Sequence, residues 1–243
     1  MRGRTTGFMV GAGLALGLSA CGSGAAGELA GKSPSQILSA GVSAGEAQVG
    51  VHYVIKATGQ SQTQTITGDA GRNDGHQTIV TGTSALEVEL LPDGRAFVRG
   101  NAGGLQQTVG LPAAVATAYA NRWISVASSD PLYAPMTQLI TLRGILSQLS
   151  PSGTLDASTP GKIAGHEVIG VRGGLPGTSA KGVSGTAVLY VSTSNPTVPV
   201  GFTGQASNSS TAVNDVGAFT HWGESLHLPA PAGAVPFASL PTH

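Results

Sequence analysis

The 243-residue chain has a single cysteine, twelve acidic and twelve basic residues, and aromatic side chains at only 5% of its positions. One thiol excludes an intramolecular disulfide, so the fold must be held by its core rather than by the cross-links common in small exported domains. Charged residues make up 10% of the chain and none form runs, which excludes nucleic-acid binding through a basic patch. The longest apolar stretch, Phe8 to Ala20, has 13 residues. Roughly 20 are needed to span a bilayer as a helix, so no transmembrane helix is expected.

What the N-terminus does contain is ordered. Arg2 and Arg4 precede the apolar run, and small residues lead into Cys21. This is the three-part layout of a secretory signal peptide. Leu18-Ser19-Ala20-Cys21 resembles the lipobox of bacterial lipoproteins, which implies a diacylated thiol at the mature N-terminus. Two acyl chains suffice for stable anchoring, and the resemblance places the protein on the extracytoplasmic face of the cell membrane. The expected organisation is a signal peptide over 1–20, a flexible tether over 21–32 carrying acylated Cys21, and one domain over 33–243. Without Arg2 and Arg4 the chain has ten basic residues against twelve acidic. About 220 residues can bury roughly 70% of the unfolded surface.

Beyond the tether, Ser33 or Ser35 can cap a short helix through Gln36, Ile37, Leu38 and Ala40. Val49, Val51, Tyr53 and Ile55 then alternate with other residues, which predicts a strand. Gln62 to Gly68 and His76 to Thr81 read as further strands about an Asn73-Asp74-Gly75 turn. Leu86 to Gly100 forms the clearest hairpin, with Pro92-Asp93-Gly94 as a three-residue loop. Its register sets Leu91 opposite Arg95, Val88 opposite Val98 and Glu87 opposite Arg99, and both Glu87 and Glu89 are expected to have arginine partners. Leu111 to Tyr119 predicts a short helix, and Trp123 to Val126 an extended piece. Met136, Leu139, Leu142, Leu146 and Leu149 make one apolar stripe on a helix from about 133 to 149. Strands are expected over 163–171, 186–192, 199–206 and 218–228. Strand runs with segregated helices indicate an α+β fold.

Chemistry-bearing patterns are few. Gly41-Val42-Ser43-Ala44-Gly45 matches G-x-S-x-G, but the nucleophile elbow needs a strand before the serine and a helix after it, and here the order is reversed. Gly11, Gly13 and Gly17 do not have the spacing of a nucleotide loop. Asn208-Ser209-Ser210 is formally a glycosylation sequon and reads as a polar turn. The six histidines show no H-x-x-x-H spacing and no accompanying acidic cluster; His221 and His227 are placed on one strand, six residues apart. No metal, no cofactor and no enzymatic activity are expected.

Several segments together resemble the LppX/LprG-type actinobacterial lipoproteins, whose fold is similar to the carriers LolA and LolB. They are the lipobox and tether, Val51-His52-Tyr53, the Pro92-Asp93-Gly94-Arg95 hairpin with Arg99-Gly100-Asn101, and Arg122-Trp123-Ile124 before the long helix. Gly165-His166-Glu167-Val168, Leu189-Tyr190-Val191, Pro199-Val200 and Phe219 to Trp222 follow. The resemblance spans roughly residues 33–236. It implies a curved antiparallel half-barrel sheet closed on its concave side by helices around a hydrophobic cavity. The implied function is binding or carrying lipids or acylated envelope molecules, with Val51, Tyr53, Trp123, Leu139, Leu142 and Leu146 at the cavity or its rim. A lipid-anchored interaction or structural protein without a cavity is the other class the sequence allows; a membrane transporter partner is left unspecified.

Overall fold

The computed structural model describes residues 28–59, 61–176, 184–207 and 212–241. The signal segment, Cys21 and the 208–210 sequon lie outside the described residues.

Thirteen strands form one continuous, unclosed sheet. Helix α1 (Pro34–Glu46) precedes β1 (Gly50–Thr58), β2 (Thr63–Gly71), β3 (Gly75–Thr81), β4 (Ser84–Leu90) and β5 (Ala96–Gly100). A short α2 (Ala102–Gly104), a π turn over Leu105–Val109 and α3 (Ala113–Ala118) lead to β6 (Ile124–Val126). Then come α4 (Tyr133–Thr137), α5 (Leu142–Leu149), β7 (Ser152–Ala157), β8 (Gly161–Ile163), β9 (His166–Gly174), β10 (Ser184–Ser192), β11 (Pro199–Ser207), β12 (Ala212–Thr220) and β13 (Val235–Pro236). The spatial order is β13-β6-β5-β4-β3-β2-β1-β12-β11-β10-β9-β7, with β8 paired to β9. Two antiparallel meanders thus meet where β1 pairs β12. The sheet is mixed rather than purely antiparallel, because β13 runs parallel to β6.

Local chemistry explains the ends of these elements. Ser33 caps α1 in a reciprocal capping box with Gln36, which satisfies two donors that the first helical turn leaves free. The β4–β5 hairpin has the expected register, Glu87 against Arg99 and Val88 against Val98. Leu91 N–H donates to Arg95 O at 2.9 Å, and Gly94 sits at φ +84°, a backbone region disfavoured for residues with a Cβ.

Five expectations change. The helix over 133–149 is two helices: Thr141 is extended, and its hydroxyl accepts from Gly144 N–H to cap α5. The strand placed over 218–228 lies instead over Ala212–Thr220, because His221 (φ +52°) and Gly223 (φ +89°) reverse the chain; His221 and His227 therefore do not share a strand. The stretch over 163–171 is a hairpin, β8 and β9, about Ala164 and Gly165, both at positive φ. Strand β7 was not anticipated: it is a mostly exposed, Gly- and Ser-containing edge strand with almost no alternation. The packed chain also begins before residue 33, since Leu29 is 2% exposed against Ile37, Val171 and Val191 and Glu28 accepts a hydrogen bond from Thr197 Oγ1 at 3.0 Å.

Helices lie on one face of the sheet, its inner face. Helix α1 approaches β10 closely because Gly41 has no side chain; a Cβ there would lie 2.7 Å from Val191 Cγ2. At Gly45 it would lie 2.9 Å from Leu146 Cδ1. The G-x-S-x-G glycines thus serve helix packing, and Ser43 sits inside a helix with no elbow. One core cluster joins β4, β5 and β6 to Leu105, Val109, Leu111, Val115 and Ile140. A second joins Val51, Tyr53, Leu189, Phe202 and Phe219 to Leu142, Ile145 and Leu146 of α5.

Candidate functional site: the inner face of the sheet

Strand pairing arranges the inner face in rows. The first runs Val51–Ala70–Gly75–Leu90–Ala96 and the second Tyr53–Gly68–Gln77–Val88–Val98. Both rows are buried throughout. The third runs Ile55–Ile66–Ile79–Leu86, and here cover thins: Ile55 and Ile66 pack against the second core cluster and Ile79 against the first, but all three are only half-buried. The fourth is polar at three of its four positions, Ala57–Gln64–Thr81–Ser84. Asp215, which pairs with Ala57, extends it. Its Oδ1 is buried with no hydrogen-bond partner, and burial raises its pKa above the usual carboxylate value. An apolar floor three strands wide therefore lies between a packed region and a polar rim, the combination typical of small-molecule sites.

The helices close only part of this face. Leu139, in the α4–α5 junction, is 37% exposed, while Ile140 beside it is fully buried. The junction is tied down at the second row: Tyr53 Oη donates to Gln77 Oε1 at 3.0 Å and lies 3.5 Å from Leu139 O. Burial, and after it the charge of Asp69, pushes the Tyr53 phenol well above its ordinary pKa, so it remains a neutral donor. The expected closure of a whole concave side by helices is not seen: burial at the isoleucine row is partial.

The six residues expected at a cavity fall into three places. Val51, Tyr53, Leu142 and Leu146 come together, each at most 1% exposed, inside one packed cluster. Leu139 is exposed in the α4–α5 junction, with its carbonyl oxygen 3.5 Å from Tyr53 Oη. Trp123 is set apart: the Arg99 guanidinium lies 4.5 Å from its ring centroid, and Arg99 in turn pairs with Glu87, whose strand neighbours Leu86 and Val88 point the other way into the core. Trp123 therefore belongs to the outer face. The isoleucine row was missed because each residue sits on a different strand; the only sequence signal was alternation, and register decides which residues align.

On the outer face, against expectation, no arginine among the described residues forms an ion pair with Glu89. Glu87 takes Arg99, whereas Glu89 lies opposite Phe97, because Phe97 and not a cation occupies the facing position on β5. Burial raises the Glu89 pKa, partly offset by His76. His52 is half-buried there, with Nδ1 2.7 Å from Asp69 Oδ1.

No protein-family model matches the chain, and no curated protein matches it at a significant level. Solved structures do. The chain is similar to LprF from Mycobacterium bovis, with 15% identity over 82% of this chain and 97% of that one, at a TM-score of 0.49. It is similar to the lipoprotein LppX from Mycobacterium tuberculosis, with 14% identity over 81% and 100% and a TM-score of 0.49. A LolA-superfamily protein from Nitrosomonas europaea shares 12% identity over 82% and 96%, at a TM-score of 0.27. These likenesses bring no ligand and no site residue with them. Among the described residues no helix is long and apolar enough to cross a membrane.

Proposed function

We propose that the protein is a cell-envelope lipoprotein, anchored through acylated Cys21 on the extracytoplasmic face of the membrane, whose inner sheet face holds the apolar chain of a lipid or acylated envelope molecule. The observation that carries this reading is the half-buried Ile55–Ile66–Ile79 row beside fully buried rows. An alkyl chain laid across three strands would complete the burial of that row at about 0.8 kcal/mol per CH₂. A polar head would meet Gln64, Thr81 and Asp215. The reading is one of binding and carrying.

The second reading, a lipid-anchored interaction or structural protein without a ligand, is favoured by the tight packing of Val51, Tyr53, Leu142 and Leu146. Titration of a fluorescent fatty-acyl probe separates the two. Leu139→Asp alters an exposed side chain in the α4–α5 junction, whose backbone meets Tyr53 on the inner face, and should weaken probe binding about tenfold or more with little loss of stability. Val216→Asp is the control: Val216 is 58% exposed on the outer face, and its substitution should leave binding unchanged. A wild-type protein that does not take up the probe, or equal losses in both variants, would overturn the carrier reading.

A further inference from the structure

The outer face brings together three side chains that the sequence keeps apart. His76 on β3 pairs directly with Glu89 on β4, and Glu87 lies two residues away on the same side of that strand. One ring nitrogen of His76 and one carboxylate oxygen of each glutamate lie within 4.8 Å of one another. Their hydrogen bonds are unevenly distributed. His76 Nε2 is 3.1 Å from Glu87 Oε1. Arg99 binds only the other oxygen, Oε2, through Nε at 2.9 Å and also through Nη2. Glu89 Oε2 is shielded from solvent and has no hydrogen-bond partner at all. A buried carboxylate oxygen without a donor is costly, and the carboxylate that carries it lies beside a second carboxylate and an imidazole.

We propose that His76, Glu87 and Glu89 form a binding site for a divalent transition-metal ion, with Zn²⁺ the ion whose ligand preference they match. One imidazole and two carboxylates suit zinc, which takes nitrogen and oxygen ligands at about 2.0–2.2 Å. Ligand atoms around such an ion are roughly 3.3 Å apart, so small side-chain rotations close the present arrangement. Magnesium and calcium instead call for oxygen donors throughout. The division of Glu87 between its two oxygens fits the same role: Oε1 faces the site, while Arg99, stacked on Trp123, orients the carboxylate from behind as an outer-shell partner. Access is open on the histidine side, where His76 lines a cavity of about 220 Å³ with Asp69, Glu224 and His227. This site is independent of the lipid reading, because its residues are on the opposite face of the sheet.

The test uses the full chain, purified without a histidine tag and stripped with EDTA. Calorimetric titration should show one Zn²⁺ per chain, and the thermal midpoint should be higher in zinc than in EDTA, with magnesium giving no shift. Glu89→Gln and His76→Gln should each weaken zinc affinity at least tenfold. In EDTA, Glu89→Gln should be no less stable than the wild type, since it removes a carboxylate whose Oε2 has no hydrogen-bond donor. Identical midpoints in zinc and EDTA, equal stabilisation by magnesium, or zinc binding that survives both substitutions would each overturn the proposal.

Discussion

Tyr53 and Gln77 form the polar contact on which the middle of the inner face depends. Gln77 is 4% exposed and Tyr53 1%, and their side chains meet at 3.0 Å above Gly68, where a Cβ would lie 2.5 Å from the phenol oxygen. Deleting the hydroxyl leaves a buried amide oxygen without its donor. Tyr53→Phe should therefore cost about 1–3 kcal/mol, read as a lower urea midpoint. Pairing it with Gln77→Leu removes both polar groups and should restore much of the loss. If the double variant is as unstable as the sum of two single losses, the two side chains are not partners in solution.

At the scale of the element, the informative feature is a helix that stops and restarts. Leu132, Tyr133 and Met136 pack against the cluster of β4 to β6, while Leu142, Ile145 and Leu146 pack against β1 and β10 to β12. A straight helix over 133–149 would be about 25 Å long and would present its stripe in one direction only. The break turns it, inserting Ile140 fully into the first cluster and pairing Thr141 with Gly71. Gly144 makes the turn possible, because a Cβ there would collide with the Gln138 carbonyl. Gly144→Ala should lower stability by about 1–3 kcal/mol although alanine is the better helix former by about 1 kcal/mol. A midpoint that rises instead would mean that the two helices are continuous in solution.

For the whole molecule, the buried Leu29 sets how the domain is held. Leu29 lies eight positions after Cys21, and eight extended residue steps span at most about 28 Å. If Cys21 carries the acyl chains, the end of the sheet near Leu29, Val191 and Thr197 stays within that distance of the membrane. Cys21→Ala should move the protein from the membrane to the soluble fraction on fractionation while leaving the thermal midpoint of the domain unchanged. A variant that still floats with membranes would show that something other than the acylated cysteine holds it.

Local patterns were sufficient for much of this molecule. The Pro92-Asp93-Gly94 loop, the Glu87–Arg99 and Val88–Val98 pairs, a cap at Ser33 or Ser35 and the alternation Val49, Val51, Tyr53 and Ile55 were legible because turn chemistry and period-two alternation act over a few residues. Of these, Ser33 serves as the cap, and Val49 lies exposed before the strand. Tertiary structure alone decided where the 133–149 segment breaks, which strands frame the isoleucine row, that Trp123 lies on the outer face beneath Arg99, and that His76 meets Glu87 and Glu89. Each of these joins residues on different elements, and their alignment depends on strand register and packing between distant segments, which no local pattern encodes.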